Sequence, residues 1–208
     1  MILLGDTLFD MGQYNEASTS YEGALRLDPK SPPALVGQAK ALLQSDRPQL
    51  ALGPLRREIA DHPDDIKALT VLGVAQDLTD DHAAAQQTYR DALARDPDNI
   101  ALASDLALSL AIVGQTDQAL ALLKPLAAGR DATPRLRQNL ALVYGLAGDR
   151  EAAARLARLD LDEDAVAHNL SYYETLRSLP PAARTRAILA APPVARAVTP
   201  GAGSIPQR

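Results

Sequence analysis

The sequence LALSLAIVGQTDQALALLKPLAAGRD, residues 106–131, decides the fold, because altered copies of it recur along the chain. Ala119 within it belongs to a series spaced 34 residues apart, which we call the alanine ladder: Ala17, Ala51, Ala85, Ala119 and Ala153. A second series at the same spacing, the glycine/alanine ladder, consists of Gly5, Ala39, Gly73, Ala107 and Ala141. A fixed step of this length predicts a solenoid of helix pairs, in which each unit buries its apolar face only by stacking on its neighbours.

Small residues in a ladder have a physical reason where two helices cross closely, because a larger side chain would push the helix axes apart. Prolines keep the same step where the second helix of each pair must stop, at Pro29, Pro63 and Pro97. The fourth unit has Asp131 at this position. The repeated pattern therefore predicts an all-α chain in which each unit is two helices joined by a short turn.

The units resemble the tetratricopeptide repeat family. In the first unit the resemblance is carried by Leu4, Gly5, Leu8, Gly12, Tyr14, Ala17, Tyr21, Ala24, Leu25 and Pro29. The third unit repeats most of them, whereas the second departs at Gln38, Pro48 and Glu58, and the fifth at Ala157 and Asp160. The resemblance covers about residues 1–161. It implies a right-handed superhelical solenoid of about five helix-turn-helix units with a C-terminal capping helix.

The repeat register predicts the bounds of the elements. We expect helix pairs at 2–10 and 15–27, 33–43 and 48–60, 66–78 and 82–95, 100–113 and 116–128, 134–147 and 150–159, and a closing helix at 162–177. From residue 178 prolines interrupt any long helix. We therefore expect an array with its closing helix over residues 1–177 and a Pro/Ala/Arg-rich mobile tail over 178–208, with one short helix near Ala182 to Ala190.

Composition narrows the classes of protein. With 47% hydrophobic but only 3% aromatic residues and no Trp, the core must consist of Ala and Leu, both strong helix formers. No apolar run is long enough to span a membrane, and the start lacks the features of a signal peptide. Because Met1 falls at the fourth position of the first helix, we expect the native protein to begin upstream. A lipoprotein signal there would place it at the periplasmic outer membrane; without one it is cytoplasmic.

Charge is divided unequally between the array and the tail. The first 177 residues hold 17 basic residues and all 26 acidic ones, a formal charge of −9, whereas the tail carries no acid but four arginines, Arg184, Arg186, Arg196 and Arg208. An acidic body argues against a nucleic-acid partner, which needs a basic patch on the folded part. The tail is then either a solvated end or a segment that docks onto the acidic body or an anionic partner.

Residues able to carry chemistry are scattered. His62, His82 and His168 do not have the spacing of a metal site. Asp160, Asp162 and Asp164 imitate the start of a calcium loop, but Ala165 and Ser171 stand where that loop needs Gly and Glu, which favours capping of the closing helix instead. The chain has no Cys, no phosphate-binding glycine motif and no hydrolase elbow. We predict no catalytic residue, metal or cofactor.

The family resemblance implies a concave groove, lined by the first helices of successive pairs, that holds an extended or helical peptide of another protein. Its N-terminal half is marked by charge at Asp6, Asp10, Lys40, Lys67 and Asp77. Its C-terminal half is mostly apolar, and the candidate peptide-binding residues there are Val74, Leu78, Ser104, Leu108, Ile112, Gln138, Leu142 and Leu146. We expect this strip to take the apolar face of a partner helix. Alternatively, these side chains pack between adjacent first helices or are covered by the tail around Ile188 and Leu189.

A finer resemblance lies in the C-terminal third. The run from Arg137 to Gly148, with Glu151-Ala152, Ala157-Arg158 and the segment from Asn169 to Tyr173, resembles the TadD proteins of bacterial tight-adherence (Flp) pilus assembly. Those proteins are repeat lipoproteins of the outer membrane, so the resemblance implies an adaptor in pilus or secretion-machine assembly. The alternative is a regulatory or substrate-recruiting module of a larger transferase or peptidase.

Overall fold

The computed structural model describes residues 1–130 and 132–190, and within these ranges every regular element is a helix. The helices are α1 (Ile2–Asp10), α2 (Tyr14–Leu27), α3 (Pro32–Gln44), α4 (Pro48–Asp61), α5 (Ile66–Leu78), α6 (His82–Arg95), α7 (Ile100–Ile112), α8 (Thr116–Ala128), α9 (Pro134–Ala147), α10 (Arg150–Ala157), α11 (Glu163–Ser178) and α12 (Pro181–Thr185). A π-helical stretch, Arg186–Ala190, follows α12. For α1 to α11 the helix bounds expected from the sequence differ from these by at most two residues.

The pairs α1/α2, α3/α4, α5/α6, α7/α8 and α9/α10 stack in chain order into a solenoid, and each helix contacts the next. The first helices also contact one another along the row α1, α3, α5, α7 and α9, and α11 extends this row beyond α9. Contacts between second helices are fewer, so the first helices form the inner, concave layer. The all-α solenoid of five pairs with a closing helix is therefore confirmed.

Both small-residue ladders lie inside the array. All five members of the alanine ladder have no exposed surface, and the same is true of Ala39, Ala107 and Ala141 in the glycine/alanine ladder. Gly5 and Gly73, its other two members, are also buried. The repeat register assigned from the sequence is thus the register of the packed core.

The glycine/alanine ladder is matched in size to the residue sixteen positions later on the second helix of the same pair. Where the ladder has Gly5 or Gly73, the partner is Tyr21 or Tyr89. A Cβ built on Gly5 would lie 2.7 Å from Cε1 of Tyr21, and one built on Gly73 would overlap the Tyr89 ring. Where the ladder has alanine, the residue sixteen positions later is Leu55, Leu123 or Ala157. The volume at the helix crossing is shared between the two positions.

The turn inside each pair uses the left-handed backbone at one register position. Positive φ occurs at Gly12, Asp46, Asp80, Gly114 and Gly148, again at intervals of 34 residues. Glycine adopts this conformation without strain, and Asp is among the few other residues that tolerate it. The requirement explains why the chain alternates only between Gly and Asp at this position.

Caps between the pairs recur in the same way. The side chains of Asp65, Asn99 and Thr133 accept hydrogen bonds from backbone amides at the starts of α5, α7 and α9. Asp162 caps α11 by accepting from the amide of Ala165 at 2.8 Å, as its sequence position suggests. The departure noted at Asp131 lies outside the described residues.

Candidate protein-binding groove

The concave face of the solenoid is divided into an open and a covered half. The open half lies at the N-terminal end, where α1, α3 and the start of α5 border a cavity of about 570 Å³. Its lining combines the apolar side chains of Phe9 and Val36 with five charged side chains: Asp6, Asp10, Lys40, Asp65 and Lys67. Because charges of both signs border an apolar floor, this half offers polar and apolar contacts together.

Tyr21 fixes one wall of the open half. Its hydroxyl donates a hydrogen bond of 2.6 Å to Oδ1 of Asp6. Burial, reinforced by this bond and by the charges of Asp6 and Asp10, raises the pKa of Tyr21. The phenol therefore stays protonated and keeps the Asp6 carboxylate oriented at the rim of the cavity.

The covered half lies against α5 and α7, and the cover is the chain's own residues Pro181–Ala190, which we call the C-terminal segment. Its α12 portion contacts both α5 and α7, and its π-helical portion contacts α5. Among residues 181–189 of this segment, Thr185 and Ile188 are buried, with 1% and 3% of their surface exposed. Ile188 belongs to the same apolar cluster as Leu108 and Ile112. The segment therefore occupies the part of the groove where a partner was expected.

Arg184 anchors the C-terminal segment through backbone carbonyl groups. Its guanidinium donates to the carbonyl oxygen of Ile112 at 2.7 Å and to those of Leu176, Arg177 and Leu179 at 2.9, 3.1 and 2.9 Å. These acceptors lie at the C-terminal ends of α7 and α11, where carbonyl groups lack helical partners and the helix dipole favours a cation. In the sequence Arg184 is one of four tail arginines, and nothing nearby marks it for this role.

Most of the eight candidate peptide-binding residues are buried in the array. Leu78, Ser104, Leu108, Ile112 and Leu146 are buried, whereas Val74, Gln138 and Leu142 are partly exposed. This arrangement agrees with the alternative that the sequence left open, in which adjacent first helices and the tail around Ile188 and Leu189 cover the strip. Within the stretch expected as a tail, the short helix expected near Ala182 to Ala190 is present as α12 and the π-helical stretch, and both pack on the array. The remaining tail, with Arg196 and Arg208, lies outside the described residues.

Asp77 was expected to face the groove, and the structure corrects this. Only 1% of its side chain is exposed, and its carboxylate accepts hydrogen bonds from the hydroxyls of Ser109 at 2.7 Å and Tyr89 at 3.4 Å. Nδ1 of His82 lies 2.8 Å from Oδ1 of the same carboxylate. The side chain therefore turns inward, where donors from α6 and α7 converge on it, and it links the third and fourth pairs.

Burial raises the pKa of Asp77 above its ordinary value of 3.8, although the bonds from His82, Ser109 and Tyr89 act in the opposite direction. The folded protein therefore binds this proton more tightly than the unfolded chain. The stability that Asp77 contributes is full below pH 3.8 and is lost as the pH rises through the raised, folded-state pKa.

We therefore expect the stability of the wild type relative to Asp77→Asn to fall with rising pH across that acidic window and to level off above it. Urea unfolding of both proteins through the acidic range measures this difference. A difference that grows with pH would contradict the assignment of burial as the dominant cause.

Other groups that could carry chemistry are used structurally. Arg137 pairs with Asp160 and lowers the pKa of that carboxyl, and Asp162 is the cap of α11. Among residues 1–130 and 132–190, no group of three or more metal-binding side chains is found. No helix in the same ranges combines the length and the apolar character needed to cross a bilayer.

Comparison with known proteins agrees with this architecture. The tetratricopeptide repeat family model matches residues 2–66 and 36–100. A curated protein of Sinorhizobium fredii (strain NBRC 101917 / NGR234), uncharacterized protein y4yS, is 41% identical over 101 residues, which cover 47% of this chain and 56% of that protein. The chain thus matches little more than half the length of this relative.

Several solved structures share the fold. The thermophilic TPR protein TTC0263 of Thermus thermophilus has a TM-score of 0.67 at 25% identity, over 84% of this chain and 97% of that one. PilF of Pseudomonas aeruginosa has a TM-score of 0.66 at 19% identity, over 88% and 86% of the two chains. YrrB, described as a TPR protein with an unusual peptide-binding site, has a TM-score of 0.60 at 17% identity, over 80% and 88%. Residues 2–100 thus match the tetratricopeptide repeat family in sequence, and the array that they begin has the tetratricopeptide repeat fold.

Proposed function

We propose that this chain is a non-catalytic scaffold that binds another protein through the concave face of its solenoid. The observation that carries the proposal is the C-terminal segment, because it is a short helical peptide seated between α5 and α7. A groove that accepts such a peptide from its own chain has the shape and the apolar floor for a similar peptide from a partner. The peptide-binding site named for YrrB supports the same use of the fold.

The binding surface in this proposal has two parts of different chemistry. In this proposal the covered half supplies apolar contacts from Val74 and Leu78 on α5, Leu108 and Ile112 on α7, and Leu142 and Leu146 on α9. Ser104 on α7 and Gln138 on α9 add polar groups. The open half supplies the charged rim around Phe9 and Val36. A partner segment with one apolar face and charged flanks fits both parts, since apolar anchors give affinity and charges fix orientation.

The biological setting that we propose is assembly of a tight-adherence pilus or a related secretion machine. Its support is the resemblance of the stretch from Arg137 to Tyr173 to the TadD proteins. At 19% identity, PilF contributes only the shared fold. The setting therefore depends on the identity of the partner, which one experiment can supply together with the test of the groove.

Photo-cross-linking in the native host tests the proposal. A photoreactive amino acid replaces Val74 or Leu142, two partly exposed residues of the proposed groove, and in a matched control it replaces Arg90, which is exposed on α6. We expect the two groove positions to capture the same protein, and the purified pair to bind with an affinity that Val74→Glu reduces.

Capture only from Arg90 would contradict the groove as the binding surface. The captured protein also decides the setting. A pilus or secretion-machine component supports assembly, whereas an unrelated metabolic enzyme contradicts that setting and leaves the scaffold function in place.

A further inference from the structure

The C-terminal segment is too short to form a stable helix without the array. Its α12 portion has five residues and its π-helical portion another five. Helices this short are unstable in water, and π-helical geometry is rare. The groove must therefore impose the conformation, as it would on a bound peptide.

The burial pattern of the segment is also that of a peptide ligand. Thr185 and Ile188, three residues apart, are its buried anchors, whereas Pro181 and Arg186 are exposed. Residues three apart share one face of a helical turn. The segment thus presents one narrow face to the array and leaves the rest to solvent.

Arg184 adds a polar recognition element beside these anchors. Its carbonyl acceptors on α7 and α11 belong to helix ends that exist whether or not the segment is present. The site that reads the arginine is therefore part of the array, and any peptide that places a guanidinium there would gain the same bonds.

The gap between α5 and α7 leaves room for a peptide. Among neighbouring first helices, α5 and α7 contact each other least, and the segment packs against both. Only Leu179 and Pro180 separate α11 from α12. So short a tether gives the segment a high effective concentration at the groove, and an untethered peptide competes at a disadvantage.

From these contacts we propose that the C-terminal segment is a resident, displaceable ligand of the α5/α7 groove, and that the partner's binding segment has the same chemistry. The partner's binding segment is a short helix that contains an arginine. A β-branched or aliphatic anchor stands one residue and four residues after that arginine, as Thr185 and Ile188 stand after Arg184. The inference rests on the proposed scaffold function. It adds that the groove is closed until a partner helix displaces the segment.

A fluorescently labelled peptide of residues 179–190, LPPAARTRAILA, tests the inference against the full-length chain. In Ile188→Asp the tethered segment should leave the groove, because a buried carboxylate replaces an apolar anchor. We expect this variant to bind the peptide at least about tenfold more tightly than the wild type, because the apparent affinity is reduced when only a small fraction of the molecules has an open groove. The same peptide with Asp at the Ile188 position should not bind. Equal binding by wild type and variant would overturn the inference.

Arg184→Ala provides a second route that introduces no buried charge. It removes the carbonyl contacts and should also raise peptide affinity, whereas Arg186→Ala, the same substitution at an exposed site, should behave as the wild type. Circular dichroism checks that each variant remains helical. If Ile188→Asp unfolds the array, the Arg184→Ala variant tests the inference instead. If that variant is folded but binds the peptide no better than Arg186→Ala, the segment is a permanent part of the core and the inference is wrong.

The outcomes separate this inference from the proposed function. If the opened variants bind the peptide but no partner is cross-linked from the groove, the inference of a resident ligand is supported and the scaffold function is contradicted. A cross-linked partner that binds wild type and opened variants equally would support the scaffold function and contradict the displaceable segment.

Discussion

Ala119→Asp should open the fourth helix pair and lower the free energy of unfolding by about 3–5 kcal/mol. Ala119 on α8 has no exposed surface and lies in the largest apolar cluster, so an aspartate there would be charged, desolvated and without a partner. Because each pair depends on its neighbours for burial, the loss should extend to the adjacent pairs. Thermal melting followed by circular dichroism measures both the shift of the midpoint and the loss of helix.

Ala121→Asp is the matched control, since it makes the same substitution two residues away on the same helix. Ala121 is exposed, and its variant should stay within about 0.5 kcal/mol of the wild type. If the two variants melted together, the register that places the alanine ladder at the helix crossing would be wrong.

Gly73→Ala should cost about 1–3 kcal/mol, because the added methyl group overlaps the ring of Tyr89. The ring has little room to move, since only 1% of its surface is exposed and its hydroxyl donates to Asp77. Chemical denaturation gives the change in the free energy of unfolding. This is a large penalty for a substitution that normally favours a helix.

Gly53→Ala is the control for helix propensity. A Cβ at Gly53 on α4 meets no atom within 4 Å outside its chain neighbours. Pro54 follows it in the helix and disfavours the helical conformation of a preceding residue that has a Cβ, which opposes the gain in helix propensity. This variant should therefore stay within about 0.5 kcal/mol of the wild type. The double variant Gly73→Ala with Tyr89→Leu recreates the Ala107 and Leu123 combination of the fourth pair. We expect it to lose less stability than the sum of the single variants. Additive losses would show that the two positions are not matched in volume.

The repeat architecture was accessible from sequence because its determinants are local and repeated. Left-handed turns at Gly12 and Asp80, caps such as Asp65, and small residues at helix crossings each impose a residue type through short-range geometry. Each signal is weak in a single unit, but five copies at one spacing define the repeat register. The burial of Ala119 and its equivalents agrees with that register. Helix order, bounds and core followed from that register.

The direction in which Asp77 points needed the packed structure. Counting along α5 assigns it to the groove, yet its position lies at the edge of that face, and an edge residue can turn either way. Its inward orientation depends on donors from Ser109, Tyr89 and His82, which lie on two other helices. A buried carboxylate is tolerated only where such donors converge, and that convergence is a property of the assembled array.

By itself the sequence determined the all-α solenoid, its repeat register and the order of its helices. Only the tertiary structure decided that the apolar half of the groove is covered, and that Arg184 rather than another tail arginine holds the cover. The bond from Arg184 to the carbonyl of Ile112 joins residues 72 positions apart, and its acceptor is a backbone group that any residue would supply. Such contacts leave no pattern in the sequence, because they depend on where two helix ends meet in space.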